Sequence, residues 1–297
     1  MQHTVRAPDG RTLAVEDCGD PAGWPVLVHG GTPNSRHLYG PNVRDAAARG
    51  LRLISYDRPG YGGSSPQPGR TVADCAADVR IICAELGIAR LATWGISGGG
   101  PHVLACAALI PDLVTAAASL ASLAPYGAEG LDFFAGMGQD NVDDTRLVLT
   151  DEAAARAKTD KDREKMLATS PEDAAKAIES LLTPTDAAAL RGELAEYLVS
   201  SMQDGLAPGS QGWWDDDNCL VRPWGFDLAG ITVPVLLLHG RQDMFVPFGH
   251  GEWLGAHIPG VEARLLDDDG HLTLLQNRVP GVHAWLSEHL QRAGQHV

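Results

Sequence analysis

Short apolar runs alternate with helical patterns through the first 125 residues. Four runs indicate buried strands because Gly, Pro or Asp bounds each one: 26–28, 51–56, 91–94 and 114–120. The alternation returns after residue 222, with strands expected at 233–239 and 261–266 and helices at 247–257 and 279–292. Strands that are nearly all apolar and alternate with helices predict a parallel sheet covered on both faces.

The middle of the chain has a different pattern. Strand-like runs give way to helical patterns rich in Ala, Glu, Asp and Lys, with helix starts at Ser170 and Thr183, each followed by Pro. Residues 128–222 hold 20 acidic and 9 basic side chains, which is most of the net charge of −15. The sequence therefore predicts a helical cap, 128–222, inserted into an α/β core made of residues 1–127 and 223–297.

Composition and charge narrow the function classes. With 44% hydrophobic and 21% charged residues, the chain has the composition of an ordinary globular protein. Its net acidity disfavours nucleic acid and anionic membranes as partners, because phosphate binding needs clustered basic side chains. The start of the chain has no apolar signal segment, and five scattered cysteines form no Cys-x-x-Cys pair. We expect a cytoplasmic enzyme with reduced thiols, no metal and a small-molecule substrate; its oligomeric state is open.

The strongest chemical motif is a serine between a strand and a helix. The run 91–94 leads into Gly95-Ile96-Ser97-Gly98-Gly99, and a helical pattern follows. Gly-x-Ser-x-Gly at a tight strand-to-helix turn is typical of a nucleophile elbow, because only small neighbours fit the strained turn. A dinucleotide-binding motif is the alternative, but it requires Gly where Ser97 stands. We therefore expect Ser97 to be a nucleophile.

A second glycine-rich turn follows the first predicted strand. The string His29-Gly30-Gly31-Thr32 allows the backbone to turn and to present free amides near the elbow. Amides in such a position stabilise the negative charge that develops on a carbonyl oxygen during attack. The sequence predicts an oxyanion hole made by Gly98 and Gly31, with Thr32 as the alternative to Gly31.

A base and its orienting acid are expected at two later strand ends. Asp243 comes just after the strand at 233–239, and His271 just after the strand at 261–266. Chemistry gathers at the carboxyl ends of parallel strands, and the order Ser, Asp, His is the one typical of hydrolases. His271 would take the serine proton while Asp243 holds the imidazole. We expect Asp267, Asp268 and Asp269 to form a solvated turn, and His29 and His239 to be structural.

These motifs together resemble those of the α/β-hydrolase family over essentially the whole chain. The strings involved are His29-Gly30-Gly31, the loop Asp57 to Ser64, Gly95 to Gly99, His239 to Asp243 and Gly270-His271. The resemblance implies an eight-stranded, mostly parallel sheet with helices on both faces, a helical cap after the sixth strand, a Ser–His–Asp triad and no cofactor. Ser97 at the elbow excludes family members whose nucleophile is Asp.

The substrate is less constrained than the mechanism. Apolar residues of the cap either line an acyl pocket or merely attach the cap to the core; they are Phe133, Phe134, Met137, Trp213 and Trp214. The acidic cap would repel anionic substrates, which favours a small neutral ester. The alternatives are C–C bond hydrolysis or peracid formation by the same triad, and a ligand-binding protein that keeps the fold without turnover.

Overall fold

The structure is a computed structural model that describes the backbone of residues 1–294. Its strands are β1 (Gln2–Arg6), β2 (Thr12–Cys18), β3 (Trp24–His29), β4 (Leu51–Tyr56), β5 (Leu91–Ile96), β6 (Val114–Leu120), β7 (Val235–Gly240) and β8 (Glu262–Leu266). They form one sheet in the order β1-β2-β4-β3-β5-β6-β7-β8. The β1–β2 and β2–β4 pairs are antiparallel and the other five are parallel. The predicted fold class is confirmed.

Helices connect the strands and fill the middle of the chain. They are α1 (Gly40–Ala48), α2 (Cys75–Glu85), α3 (Gly99–Leu109), α4 (Gln139–Thr150), α5 (Glu152–Ala168), α6 (Ala174–Ala177), α7 (Pro184–Ala189), α8 (Glu193–Leu206), α9 (Gln211–Leu220), α10 (Phe248–His257), α11 (His271–Thr273) and α12 (Val279–Gly294). A π-helical turn, Leu274–Arg278, joins α11 to α12. Across residues 1–294, no helix combines the length and hydropathy that crossing a bilayer requires.

The sheet has an apolar core on each face. Successive side chains of a strand point to opposite faces, so Leu27 of β3 packs on one face and Val26 and Val28 pack on the other. Side chains of α2, α3 and α10 cover the first face, and side chains of α1 and α12 cover the second. The sheet is therefore buried on both faces. Loops leave the sheet at the carboxyl ends of its parallel strands.

The helices α4 to α9 all lie between β6 and β7, inside the segment 128–222. We call this segment the helical segment. Its helix α8 places Leu194 and Val199 in the second core of the sheet. The division of the chain into a core and a separate cap domain stays a prediction.

Local patterns missed some elements. The sequence did not predict the first two strands, because only Val5 of β1 is buried and β2 includes a buried charged residue, Asp17, after the buried run Leu13–Val15. The helix start expected at Ser170 is a turn, and α6 begins at Ala174. Thr183 does start α7 as expected, since its hydroxyl accepts from the amide of Asp186. Four of the five cysteines are buried, whereas Cys18 is partly exposed.

Candidate active site

Ser97 lies on the sharp turn between β5 and α3. Its φ is 57°, in the left-handed region that is strained for a residue with a side chain. The strand ends one residue before it, α3 begins two residues after it, and the side chain is partly exposed. Ser97 therefore stands on the strand–turn–helix geometry that characterises a nucleophile elbow.

Close backbone approach requires glycine on the helix side of Ser97. A Cβ on Gly99 would lie 2.1 Å from the carbonyl oxygen of His29, and a Cβ on Gly98 would lie 2.3 Å from Thr32 Oγ1. Either side chain would push the elbow away from the loop that follows β3. The elbow and this loop, residues 30–32, are thus packed directly against each other.

The 30–32 loop presents amides beside Ser97. A Cβ on Gly31 would lie 3.9 Å from Ser97 Oγ, so the two residues are neighbours with ordinary van der Waals spacing. Within residues 1–294, the amides of Gly31, Thr32 and Gly98 donate no intramolecular hydrogen bond. All three are therefore available to an external acceptor, and the choice between Gly31 and Thr32 stays open.

Arg58 fixes the orientation of this loop. Its guanidinium donates to the carbonyl oxygens of Gly30 (2.6 Å) and Gly31 (3.0 Å). The N–H and C=O of a trans peptide point in opposite directions. Holding the two carbonyls therefore turns the amides of Gly31 and Thr32 away from Arg58.

A buried ion cluster ties the helical segment to the same loop. Asp216 of α9 is fully buried and accepts from Arg58 Nη2 (2.5 Å), Arg70 Nη2 (2.5 Å), Thr32 Oγ1 (2.7 Å) and Tyr61 OH (2.9 Å). Burial by itself would raise the pKa of Asp216, but the two guanidinium groups hold it well below its usual range. A carboxylate of the helical segment thus supports the residues that flank Ser97.

Asp243 and His271 form a buried pair at neighbouring strand ends. Asp243 follows β7, and His271 begins α11 after β8. His271 Nδ1 donates to Asp243 Oδ2 over 2.8 Å, while Asp243 Oδ1 accepts from the amides of Phe245 and Val246, both at 2.8 Å. A proton on Nδ1 leaves Nε2 as the basic nitrogen of the ring. This is the arrangement in which a carboxylate orients a general base.

The surroundings of His271 favour its charged form. Burial lowers its pKa and is the largest single influence, but the negative charges of Asp243 and Asp186 outweigh it and the pKa is raised. Phe245 stacks on the ring with centroids 4.6 Å apart and an interplanar angle of 23°. The imidazole is thus held in place by a hydrogen bond at its edge and by an aromatic ring on its face.

The other buried histidines near the sheet edge are held neutral. Burial lowers the pKa of His29 and His239 and takes that of His102 to about 3. His102 Nδ1 donates to the carbonyl of Gly98, and His239 Nε2 donates to that of Val246, each over 2.8 Å. The burial of both side chains, and the hydrogen bond of His239, fit the structural roles expected for His29 and His239.

The acidic turn before His271 differs from its expectation at one residue. Asp267 is exposed and pairs with Arg241 at the surface, as a solvated turn would. Asp269, however, is 3% exposed and accepts from Arg278 Nη2 over 2.7 Å. The ion pair with Arg278 compensates the buried charge of Asp269, and sequence distance alone does not reveal this contact.

Four of the five predicted pocket residues share one apolar cluster. Phe133 and Trp214 are buried in it, and Phe134 and Met137 pack against it. Trp213 is partly exposed and lies outside it. Contact of these side chains with a substrate stays a prediction.

One set of side chains in residues 1–294 has metal-ligand spacing. The ligand atoms of His102, Asp216 and Cys219 lie within 4.8 Å of one another. Both oxygens of Asp216 already accept from arginine, and Arg70 also donates to Cys219 Sγ. Two guanidinium groups at the site oppose a further cation, so this cluster is suited to an ion pair rather than to a metal.

Sequence reasoning missed three contributors to the site: Asp186, Asp216 and Phe245. Asp186 and Asp216 belong to helices of the helical segment, and nothing in their local sequence indicates which core loop they contact. Phe245 lies two residues after Asp243, and this proximity along the chain is the one feature of the sequence that links Phe245 to the site.

Comparison with known proteins agrees with the fold and the motifs. A family model for the alpha/beta hydrolase fold matches residues 25–278. The chain therefore belongs to the α/β-hydrolase family.

Several relatives align with almost the whole chain. The AB hydrolase superfamily protein YisY of Bacillus subtilis is 26% identical over 275 residues, covering 91% of this chain and 92% of the relative. A 2-hydroxy-6-oxononadienedioate/2-hydroxy-6-oxononatrienedioate hydrolase of Cupriavidus pinatubonensis is 26% identical, covering 90% and 88%. An alpha/beta hydrolase fold protein from Nakamurella multipartita is 28% identical with a TM-score of 0.70, covering 99% of this chain and all of that one. These similarities support a hydrolase.

Proposed function

We propose that this protein is a serine hydrolase that cleaves a small neutral ester through an acyl-enzyme. The observation that carries the proposal is the strained backbone of Ser97, φ 57°, beside amides with no intramolecular acceptor. Strain of this kind persists only where the surrounding structure imposes it, and here it exposes a hydroxyl next to hydrogen-bond donors. The hydrogen-bonded pair of His271 and Asp243 supplies the base that a serine hydroxyl needs.

The proposed reaction has two balanced halves. Ser97 Oγ attacks the ester carbonyl while its proton passes to His271 Nε2, and the carbonyl oxygen gains a negative charge held by the amides of Gly98 and of Gly31 or Thr32. The intermediate collapses, and the leaving alcohol departs with the proton from His271. Water then gives a proton to His271 and attacks the acyl group, which releases the acid and returns the proton to Ser97.

Charge favours an uncharged substrate. The helical segment is strongly acidic, and two carboxylates contact His271: Asp243 at the imidazole and Asp186 at the backbone amide. Arg58 and Arg70 are buried and donate to Asp216, so neither presents a free guanidinium to a carboxylate substrate. A carboxylate or phosphate on the substrate would meet net repulsion on this side.

Covalent labelling tests the proposal directly. The protein is treated with a fluorophosphonate, the modified peptide is located by mass spectrometry, and turnover is measured on p-nitrophenyl esters from acetate to decanoate. We expect a single adduct on Ser97 and turnover that varies with acyl length. Absence of both labelling and turnover would favour the ligand-binding alternative.

A second candidate, hydrolysis of a C–C bond, is favoured by one observation. The Cupriavidus relative is named as a 2-hydroxy-6-oxononadienedioate hydrolase and aligns over 90% of this chain. A 2-hydroxy-6-oxo-dienedioate and a neutral ester are compared at equal concentration. A higher kcat/KM for the dianionic dienedioate would overturn the ester proposal and its electrostatic argument together.

Adjacent glycines provide a matched test of the oxyanion loop. In Gly31→Ala the methyl group would lie 3.9 Å from Ser97 Oγ, in space that the substrate oxygen needs. In Gly30→Ala the methyl group would instead meet Asn34 Cβ at 3.6 Å. We expect Gly31→Ala to lower kcat on an ester by about 10²-fold and Gly30→Ala to lower it far less, with similar melting temperatures. Equal losses in the two variants would remove the 30–32 loop from the mechanism.

Variants of the two neighbouring tryptophans distinguish a packing role from a role in substrate contact. Trp214 is 6% exposed in the apolar cluster, so Trp214→Ala is expected to lose about 3–5 kcal/mol of stability. Trp213 is partly exposed, and Trp213→Ala is expected to change KM and acyl-length preference more than the melting temperature. Both quantities are measured on both variants. An unchanged acyl profile in Trp213→Ala would refute its role at the pocket.

A further inference from the structure

A carboxylate of the helical segment contacts the backbone that carries His271. Asp186 Oδ2 accepts from the amide of His271 (2.8 Å), and Asp186 Oδ1 accepts from the amides of Leu272 (2.8 Å) and Thr273 (3.2 Å). These are the first three amides of α11, which have no partner inside the helix. Asp186 therefore caps the N-terminus of α11, although it lies 85 residues earlier in the chain than His271.

This contact is enclosed and specific. Asp186 is fully buried, and its carboxylate fills the space beside Gly270, where a Cβ would lie 2.4 Å from Oδ2. The preceding residue, Thr185, donates its hydroxyl to Gln242 Oε1 over 2.5 Å, one residue before Asp243. The single short helix α7 thus touches both loops that hold the acid–imidazole pair.

The charge of Asp186 acts mainly on His271. Within residues 1–294, no lysine or arginine pairs with Asp186, and the three amides it accepts from favour its ionised form. Burial raises the pKa of Asp186 above its ordinary value, and His271 and these amides offset that rise only in part. The charged or titratable groups around His271 are Asp243 and neutral His239 from the β7 side and Asp186 from α7. Arg278, at the end of the π-helical turn after α11, pairs with Asp269.

We propose that Asp186 is a positioning residue for His271: it holds the start of α11 against the helical segment and places a second negative charge behind the imidazole. The proposal rests on the proposed function, because positioning matters only if His271 is the base. When the proton of Ser97 moves to His271 Nε2, the ring becomes an imidazolium. Asp243 and Asp186 then stabilise it together, and the helical segment becomes part of the catalytic apparatus rather than only a cover.

The test compares two carboxylates of the helical segment, each of which caps a helix. In Asp186→Asn the side-chain NH₂ must face a backbone N–H, so the variant loses the charge and at least one hydrogen bond. In Asp151→Asn the residue changed is the exposed N-cap of α5, which accepts from Ala154 N over 3.0 Å and, within residues 1–294, forms no hydrogen bond with a core loop. Should Asp186→Asn fail to fold, Asp186→Ser is the second variant, because serine is a neutral residue that is favoured at N-caps.

Three quantities are measured on each variant: the His271 imidazole titration by ¹⁵N NMR, assigned with His271→Gln; the rate of fluorophosphonate labelling against pH; and the melting temperature. Since the base must be neutral to accept a proton, loss of the Asp186 charge should move the NMR titration and the acid limb of the labelling rate to lower pH. We expect the plateau labelling rate to fall about 10–100-fold in Asp186→Asn. In Asp151→Asn, neither the His271 titration nor the plateau rate should change.

Two outcomes would overturn the proposal. A lower melting temperature with an unchanged His271 titration and an unchanged plateau rate would make Asp186 a structural cap only. Equal effects in Asp151→Asn would make the change a general loss of helix capping. If the wild-type protein is not labelled, the proposed function fails instead, and the NMR titration still decides whether Asp186 acts on the imidazole.

Discussion

Ser97→Ala is expected to abolish ester turnover, with a loss of about 10⁶-fold, while leaving the fold intact. Alanine can adopt the same backbone conformation as serine, and its methyl group occupies the position of the serine Cβ. Without a hydroxyl, it cannot form an acyl-enzyme. Turnover of p-nitrophenyl acetate and fluorophosphonate labelling measure the loss, and the melting temperature should change little.

An exposed serine of the helical segment serves as the control. Ser200 lies on the surface of α8 and donates only to the carbonyl of Tyr197, so Ser200→Ala should keep wild-type turnover. If Ser97→Ala retained more than a few per cent of the wild-type rate, the nucleophile would have to be sought elsewhere.

Asp243→Asn is expected to lower kcat by about 10⁴-fold. The reason lies in the two amides that donate to Asp243 Oδ1, those of Phe245 and Val246. In the variant these amides require the carbonyl oxygen of asparagine at that place, so its NH₂ must face His271 Nδ1. The proton of the neutral imidazole then moves to Nε2, and the ring can no longer accept the proton of Ser97.

Two other acids control for charge near the base. Asp267 is exposed and Asp269 is buried against Arg278, and neither contacts the imidazole. Asp267→Asn should therefore be close to wild type, and Asp269→Asn should reduce stability more than kcat. A loss of kcat in Asp269→Asn that exceeds the loss in Asp243→Asn would mean that the orienting acid has been misassigned.

The sequence by itself determined the fold class, because that information is local and repeated. Apolar runs bounded by turn residues predicted the six strands that form parallel pairs, and the confirmed sheet places the ends of β3, β5, β7 and β8 at one edge. Ser97, Asp243 and His271 were singled out for the same reason: each follows directly on a strand whose pattern is clear. Their catalytic roles stay predictions.

Only the tertiary structure decided how the helical segment meets this edge. Asp186 is 85 residues from His271 and Asp216 is 158 residues from Arg58; neither separation leaves a periodicity or a motif in the sequence. A carboxylate in an acidic, helical stretch is usually a solvated surface group, and what distinguishes these two is burial against the donors of distant loops. Local pattern sets which residues form strands and turns, whereas these long-range contacts follow from the packing of the whole chain.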